Sequence, residues 1–126
     1  MVYLDLDDLL AAATAVLGDE PGVRDYGLLE SALARPQATV FGEDAYTDIH
    51  AKAAALLSSL VKNHALVDGN KRLGLVSVRL FYALNDYVFD ATDDQKFELV
   101  IGEAEGRTIE IDEIARTLEE FTSPRA

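Results

Sequence analysis

His64-Ala65-Leu66-Val67-Asp68-Gly69-Asn70-Lys71-Arg72 lies between two long apolar-periodic segments. These nine residues bring together an imidazole, a carboxylate, a glycine, an amide and two adjacent cations. A plain connection between two core helices needs only a turn, so the mixture points to anion or metal chemistry. Upstream, Ile49, Ala53, Leu56, Leu57, Leu60 and Val61 follow the 3.6-residue period. They predict a helix capped by Thr47 or Asp48 and running to about Asn63. It is apolar over a wide arc, and Ala53-Ala54-Ala55 allows close approach, so this helix is expected at the centre of the fold. Downstream, Leu73, Val76, Leu80, Phe81 and Leu84 predict a helix from Lys71 to about Asn85, with Gly69 turning the chain and Asn70 as its N-cap.

The flanking chain repeats this pattern. Asp5 or Asp7 can cap a first helix to about Leu17, and Gly18-Asp19-Glu20-Pro21-Gly22 breaks it. Asp25 starts a second helix that Pro36 stops. Thr39-Val40-Phe41, followed by Gly42-Glu43-Asp44, reads as a loop or small flap, with Phe41 and Tyr46 expected to fold back onto the core. Tyr87-Val88-Phe89 is too short for more than a buried extended link. Thr92 and Gln95 match a capping box for a fifth helix through Phe97, Leu99, Val100 and Ile101, which Gly106 ends. Asp112 is placed as the cap of a last helix with Ile114, Ala115, Leu118 and Phe121 inward, and the tail from Thr122 to Ala126 is expected to fray. The expected fold is all-α: a compact helical bundle of one domain, residues 1–126, with no convincing sheet and the central stretch on a helix–loop–helix.

Composition narrows the function. Hydrophobic residues make up 49% and charged residues 27%, as in a soluble globular protein. No apolar run approaches a membrane span, and Met1-Val2-Tyr3-Leu4-Asp5 does not begin a signal peptide, so a cytoplasmic location is expected. With no cysteine, thiolate chemistry and disulfides are excluded. The net charge of −12 argues against nucleic-acid binding. The charge is unevenly spread. Residues 62–79 carry Lys62, Lys71, Arg72 and Arg79 against Asp68, a balance of +3, which leaves −15 elsewhere. A basic island beside a glycine turn in an acidic chain reads as a local anion site, unless the cations pair with acidic neighbours in space.

A helix N-terminus behind a glycine presents free backbone N–H groups at the positive end of the helix dipole. Arg72 in that first turn can grip a phosphate bidentately, and Lys71 adds a mobile charge. Asp68 offers oxygen to a magnesium ion that keeps water and phosphate as its other ligands. His64, at the end of the preceding helix, is the proton acceptor, since an imidazole ordinarily titrates near neutrality. Together these parts suit phosphoryl or nucleotidyl transfer. Taken singly, each residue has an ordinary explanation in capping, turning or solvation; within nine residues, the site is the better reading. His50 has no such company and is read as an ordinary helix residue.

His64 to Arg72 resembles the signature of the Fic/Doc superfamily, His-x-Phe-x-Asp/Glu-Gly-Asn-Gly/Lys-Arg. The nucleotidyl-transferring Fic branch typically has Gly where Lys71 stands and a second Arg where Leu75 stands; both differences point to the Doc (death-on-curing) branch. Residues 27–37 and the helix from Lys52 to Val61 also look Doc-like, so the likeness covers most of the chain. Ala65 and Leu66 replace the common Pro and Phe. The resemblance implies a toxin of a toxin–antitoxin module, a protein kinase that uses ATP and magnesium to phosphorylate a threonine of elongation factor Tu. His64 would be the general base, Asp68 would help hold magnesium, Gly69 and Asn70 would shape the anion-binding turn, and Lys71 and Arg72 would bind the ATP phosphates. The stretch from Thr39 to Ala45 lies where such proteins carry a flap that docks the target. A Phd-type antitoxin would lay a C-terminal segment in a groove, and the free toxin is expected to be a monomer. Adenylyl transfer, or a weakly catalytic fold acting through antitoxin binding and co-repression, are the alternatives.

Overall fold

Aspartates begin the first three helices. In the computed structural model, which describes residues 1–104 and 111–125, Asp5 caps α1 (Leu6–Leu17) in a capping box with Asp8. Asp25 caps α2 (Tyr26–Ala34), and Asp48 caps α3 (Ile49–Asn63), each accepting a first-turn N–H. A 3₁₀ turn, Arg35–Gln37, follows α2 because Pro36 cannot continue an α-helix. Beyond α3 come α4 (Asn70–Leu84), α5 (Asp93–Ala104) behind the expected Thr92–Gln95 capping box, and α6 (Ile111–Glu120).

The core is organised around α3. Every residue from Lys52 to Val61 is buried, because the helix is covered by α2, α4, α5 and α6. Gly74 on α4 lets the backbones of α3 and α4 approach: a Cβ there would lie 3.0 Å from Leu57 Cδ1 and 3.1 Å from Val61 Cγ2. The fold is helical, as the periodicity predicts. None of the helices among the described residues is long and apolar enough to cross a membrane.

Several local expectations need correction. The chain forms two small antiparallel ribbons, β1 (Thr39–Val40) with β2 (Glu43–Asp44), and β3 (Tyr87–Phe89) with β4 (Thr122–Pro124). Strands of two or three residues are too short to leave a sequence period. The tail therefore does not fray before Arg125, whose N–H donates to Asp86 O at 2.8 Å. Phe41 does not fold back but is fully exposed, and Phe97 also faces outward. Asp112 is not a cap: α6 begins at Ile111, so Asp112 lies in its first turn, where its charge complements the helix dipole. Gly106, the expected end of α5, lies outside the described residues.

His50 has a partner after all. Its Nδ1 is hydrogen-bonded to the fully buried Tyr82 hydroxyl, 2.8 Å away, across 32 residues of sequence. The rings of Tyr87 and Phe89 pack around Tyr82 and bring β3 onto this pair. Burial, aided by the charges of Asp48 and Glu119, pushes the Tyr82 phenol well above the ordinary tyrosine value and outweighs the opposing Thr122 hydroxyl. The folded state thus holds the Tyr82 proton more tightly than the unfolded chain. Its contribution is complete below pH 10 and falls as pH rises above it. Tyr82→Phe is expected to cost about 1–2 kcal/mol near neutrality by leaving His50 unpaired. It should also flatten the alkaline loss of stability above pH 10, as read by denaturant unfolding across pH. An equally steep alkaline limb in the variant would exclude Tyr82 as its source.

Candidate active site

The connection between α3 and α4 is a short, heavily bonded loop. His64 leaves α3 in the left-handed conformation, φ 51° and ψ 46°, which histidine tolerates better than most residues. Ala65 and Leu66 then turn inward and are buried, while Val67 and Asp68 face out. Leu66 pairs with Val23 in an antiparallel bridge. The Ala65 carbonyl accepts from Arg24 N–H at 2.7 Å and Asp25 N–H at 3.1 Å, and Val67 N–H donates to Gly22 O at 2.8 Å. The segment from Gly22 to Asp25 is a support that no sequence period marks.

Asn70 corrects the expected cap. It is the first residue of α4, and its side chain turns back into the loop. Oδ1 accepts from Leu66 N–H, and Nδ2 donates to Leu66 O, both at 3.0 Å. The N-cap is Gly69, at φ 87°, with no side-chain cap bond. The positive φ favours glycine there, and a Cβ would lie 2.5 Å from Leu17 Cδ2 of α1, a side-chain end that would have to shift. Leu66 thus seats the loop in the core where a larger Phe is common, with hydrogen bonds to the loop backbone supplying the rest.

The site follows from this loop. His64, Asp68, Gly69, Asn70, Lys71 and Arg72 line one cleft of about 390 Å³ with Val61 and Val67, within the usual range of about 300–1,000 Å³ for small-molecule sites. All six residues expected in the site are therefore brought together, and the two valines are additions. His64, Asp68, Lys71 and Arg72 are exposed to it. Lys71 and Arg72 stand in the first turn of α4, which has no acidic residue and no side-chain cap. Cations at that end oppose the helix dipole, and free first-turn N–H groups add positive potential. Among the described residues neither Lys71 nor Arg72 has a carboxylate within ion-pair distance. An anion would resolve all three features at once.

Asp68 presents a hard carboxylate oxygen at the same cleft. No group of three or more His, Asp or Glu side chains that could cage a metal occurs among the described residues. A divalent ion here would fit as one that shares its coordination between Asp68, water and a phosphate, the usual habit of magnesium.

Asn70→Ala should leave both polar groups of Leu66 without partners, a loss of about 1–3 kcal/mol. Hydrogen exchange should show faster exchange of the Leu66 amide while α3 amides keep their protection; an unchanged Leu66 amide would refute the role assigned to Asn70.

The comparisons with known proteins agree with this geometry. The family model described as Fic/DOC matches residues 3–82, a span that includes the whole loop and most of α4. A protein named Toxin Doc from Mycolicibacterium smegmatis is 47% identical over 122 residues, covering 96% of this chain and 94% of that protein. A protein named Protein kinase doc from Escherichia phage P1 is 33% identical over 122 residues, covering 94% of each chain. With a family match over more than half its length and two relatives aligned almost end to end, the chain belongs to the Fic/DOC family, in its Doc branch.

Proposed function

We propose that this chain is the toxin of a toxin–antitoxin pair and acts as a protein kinase, transferring the terminal phosphate of ATP to a threonine of elongation factor Tu in the presence of magnesium. The observation that carries the reading is the cleft itself, where an imidazole, a carboxylate and an uncapped, doubly basic helix start converge. The names of the two relatives, a toxin and a protein kinase, support it.

In this reading the ATP phosphates lie against the free amides of the α4 first turn. Arg72 gives paired hydrogen bonds to phosphate oxygens, and Lys71 neutralises a further charge. A magnesium ion, when bound, would be held by Asp68 and would offset charge on the phosphate oxygens. His64 accepts the proton of the target hydroxyl as its oxygen bonds to the terminal phosphorus; the bond from that phosphorus to the bridging oxygen breaks, and ADP leaves with the electron pair. Gly69 and Asn70 hold the turn in place throughout. Lys71 fills space that a glycine would leave open beside the turn, which favours transfer of the terminal phosphate over adenylyl transfer.

An antitoxin of the Phd type has a natural place on this surface. Beside the cleft, Val16, Leu75, Val76 and Phe89 form the apolar wall of a groove of about 190 Å³ whose cations are Arg72, Arg79 and Lys96. An amphipathic acidic segment that orders on binding would suit it.

The test is incubation with magnesium, ATP and elongation factor Tu, read by intact mass. His64→Asn is the better control than alanine, because asparagine accepts the left-handed backbone at this position. The wild type should add one phosphoryl group, and the variant should be slower by about 10²–10⁴-fold with an unchanged melting temperature. Adenylyl addition, or full activity of His64→Asn, would sink the kinase mechanism.

A further inference from the structure

Lys52 is a lysine inside a helical core. It lies near the start of α3 with 2% of its surface exposed. Its Nζ donates to Pro36 O at 3.1 Å, lies 3.4 Å from Asp44 Oδ2 and sits 5.6 Å from the centre of the Tyr3 ring. Two of its N–H groups thus have oxygen acceptors, and the Tyr3 ring adds a cation–π contact. Burying that charge is costly, whereas an unbranched apolar side chain would fill the same path without penalty. Packing therefore does not explain a lysine here. Connection does.

Pro36 precedes β1 and Asp44 ends β2, so one ammonium holds both legs of the β1–β2 flap against α3. Arg35 gives the base of the flap a second link to α3, its Nη1 donating to Ser59 Oγ at 3.1 Å; beyond that base the flap has little else to fix it. Its strands are two residues long and exposed. Its turn, Phe41-Gly42, puts Phe41 at φ 52°, unfavourable for a bulky residue, with the ring wholly in solvent. Below the strands, Ala45 N–H donates to Ala38 O at 2.8 Å, and Arg35 Nε donates to the Tyr46 hydroxyl at 3.0 Å.

We infer that Lys52 is a positioning residue: paired with Asp44, it sets the flap on α3 and holds Phe41 outward for a protein substrate. The substrate clause rests on the kinase reading above; the setting of the flap does not.

The test uses the full chain with Lys52→Met, Asp44→Ala and the double variant. Asp44 has a side chain 56% exposed, so its removal opens no cavity in the core, although it leaves the Lys52 ammonium without its carboxylate, and it tests the link even if Lys52→Met folds poorly. Hydrogen exchange of the Ala45 amide should accelerate roughly tenfold in either single variant, as expected for a local opening, while α3 and α4 keep wild-type protection. The double variant should exchange no faster than the faster single one, because both remove the same link. With elongation factor Tu as substrate, KM for the protein should rise and KM for ATP should not. Wild-type exchange at Ala45 in both singles, or additive effects in the double, would overturn the inference. If even the wild type modifies no protein, the kinase reading falls, and the exchange data decide the role of Lys52 alone.

Discussion

The amide of Asn70 pairs with the backbone of Leu66 as a neighbouring strand would, accepting its N–H and donating to its carbonyl. Much of the site depends on that pairing. It fixes the distance between the end of α3 and the start of α4, and so the relation between the His64 imidazole and the first-turn amides of α4. A loop bonded only to water would let these two drift, and a drift of an ångström is costly to any transfer reaction. The hydrogen bonds from Arg24, Asp25 and Val67 brace the loop from the other side, so the loop is held by the Asn70 amide and main chain, without its charged side chains.

The same loop shows how this protein distributes charge. Acidic residues begin α1, α2 and α3, where they satisfy helix ends at the positive pole. At α4 the arrangement is reversed: glycine caps, cations follow, and no acid is present in the first turn. Elsewhere the fold spends its carboxylates on its own helix ends; here the positive pole has none. The overall charge of −12 surrounds this basic place, so the local potential there opposes that of the molecule as a whole.

What the sequence disclosed and what it hid follow from the range of the interactions involved. Asp5, Asp25, Asp48 and the Thr92–Gln95 box act within three residues of themselves; Asp25 and the box were legible outright, and the other two as one of a pair, Asp5 or Asp7 and Thr47 or Asp48. The helical period of α3 and α4 was legible for the same reason. The five polar residues of this stretch and Gly69 lie within nine positions, so their convergence needed only the turn. Asn70 misled because Gly-Asn before a periodic run reads as a cap, while its actual partner lies four residues back in the loop. His50 and Lys52 were opaque because their partners stand on other elements: Tyr82 for the first, Tyr3, Pro36 and Asp44 for the second. Two-residue strands leave no period at all.

A second asparagine carries a different consequence. At the far end of α4, Asn85 accepts from Val2 N–H and donates to Val2 O, both at 2.8 Å, and the adjacent Asp86 carbonyl accepts from Arg125 N–H. Residues 2 and 125 are thus tethered to consecutive positions, and the segment before α1 meets the segment after β4 at the end of α4. Loosening either one uncovers the same helix end, so two stretches far apart in sequence are coupled in their local opening.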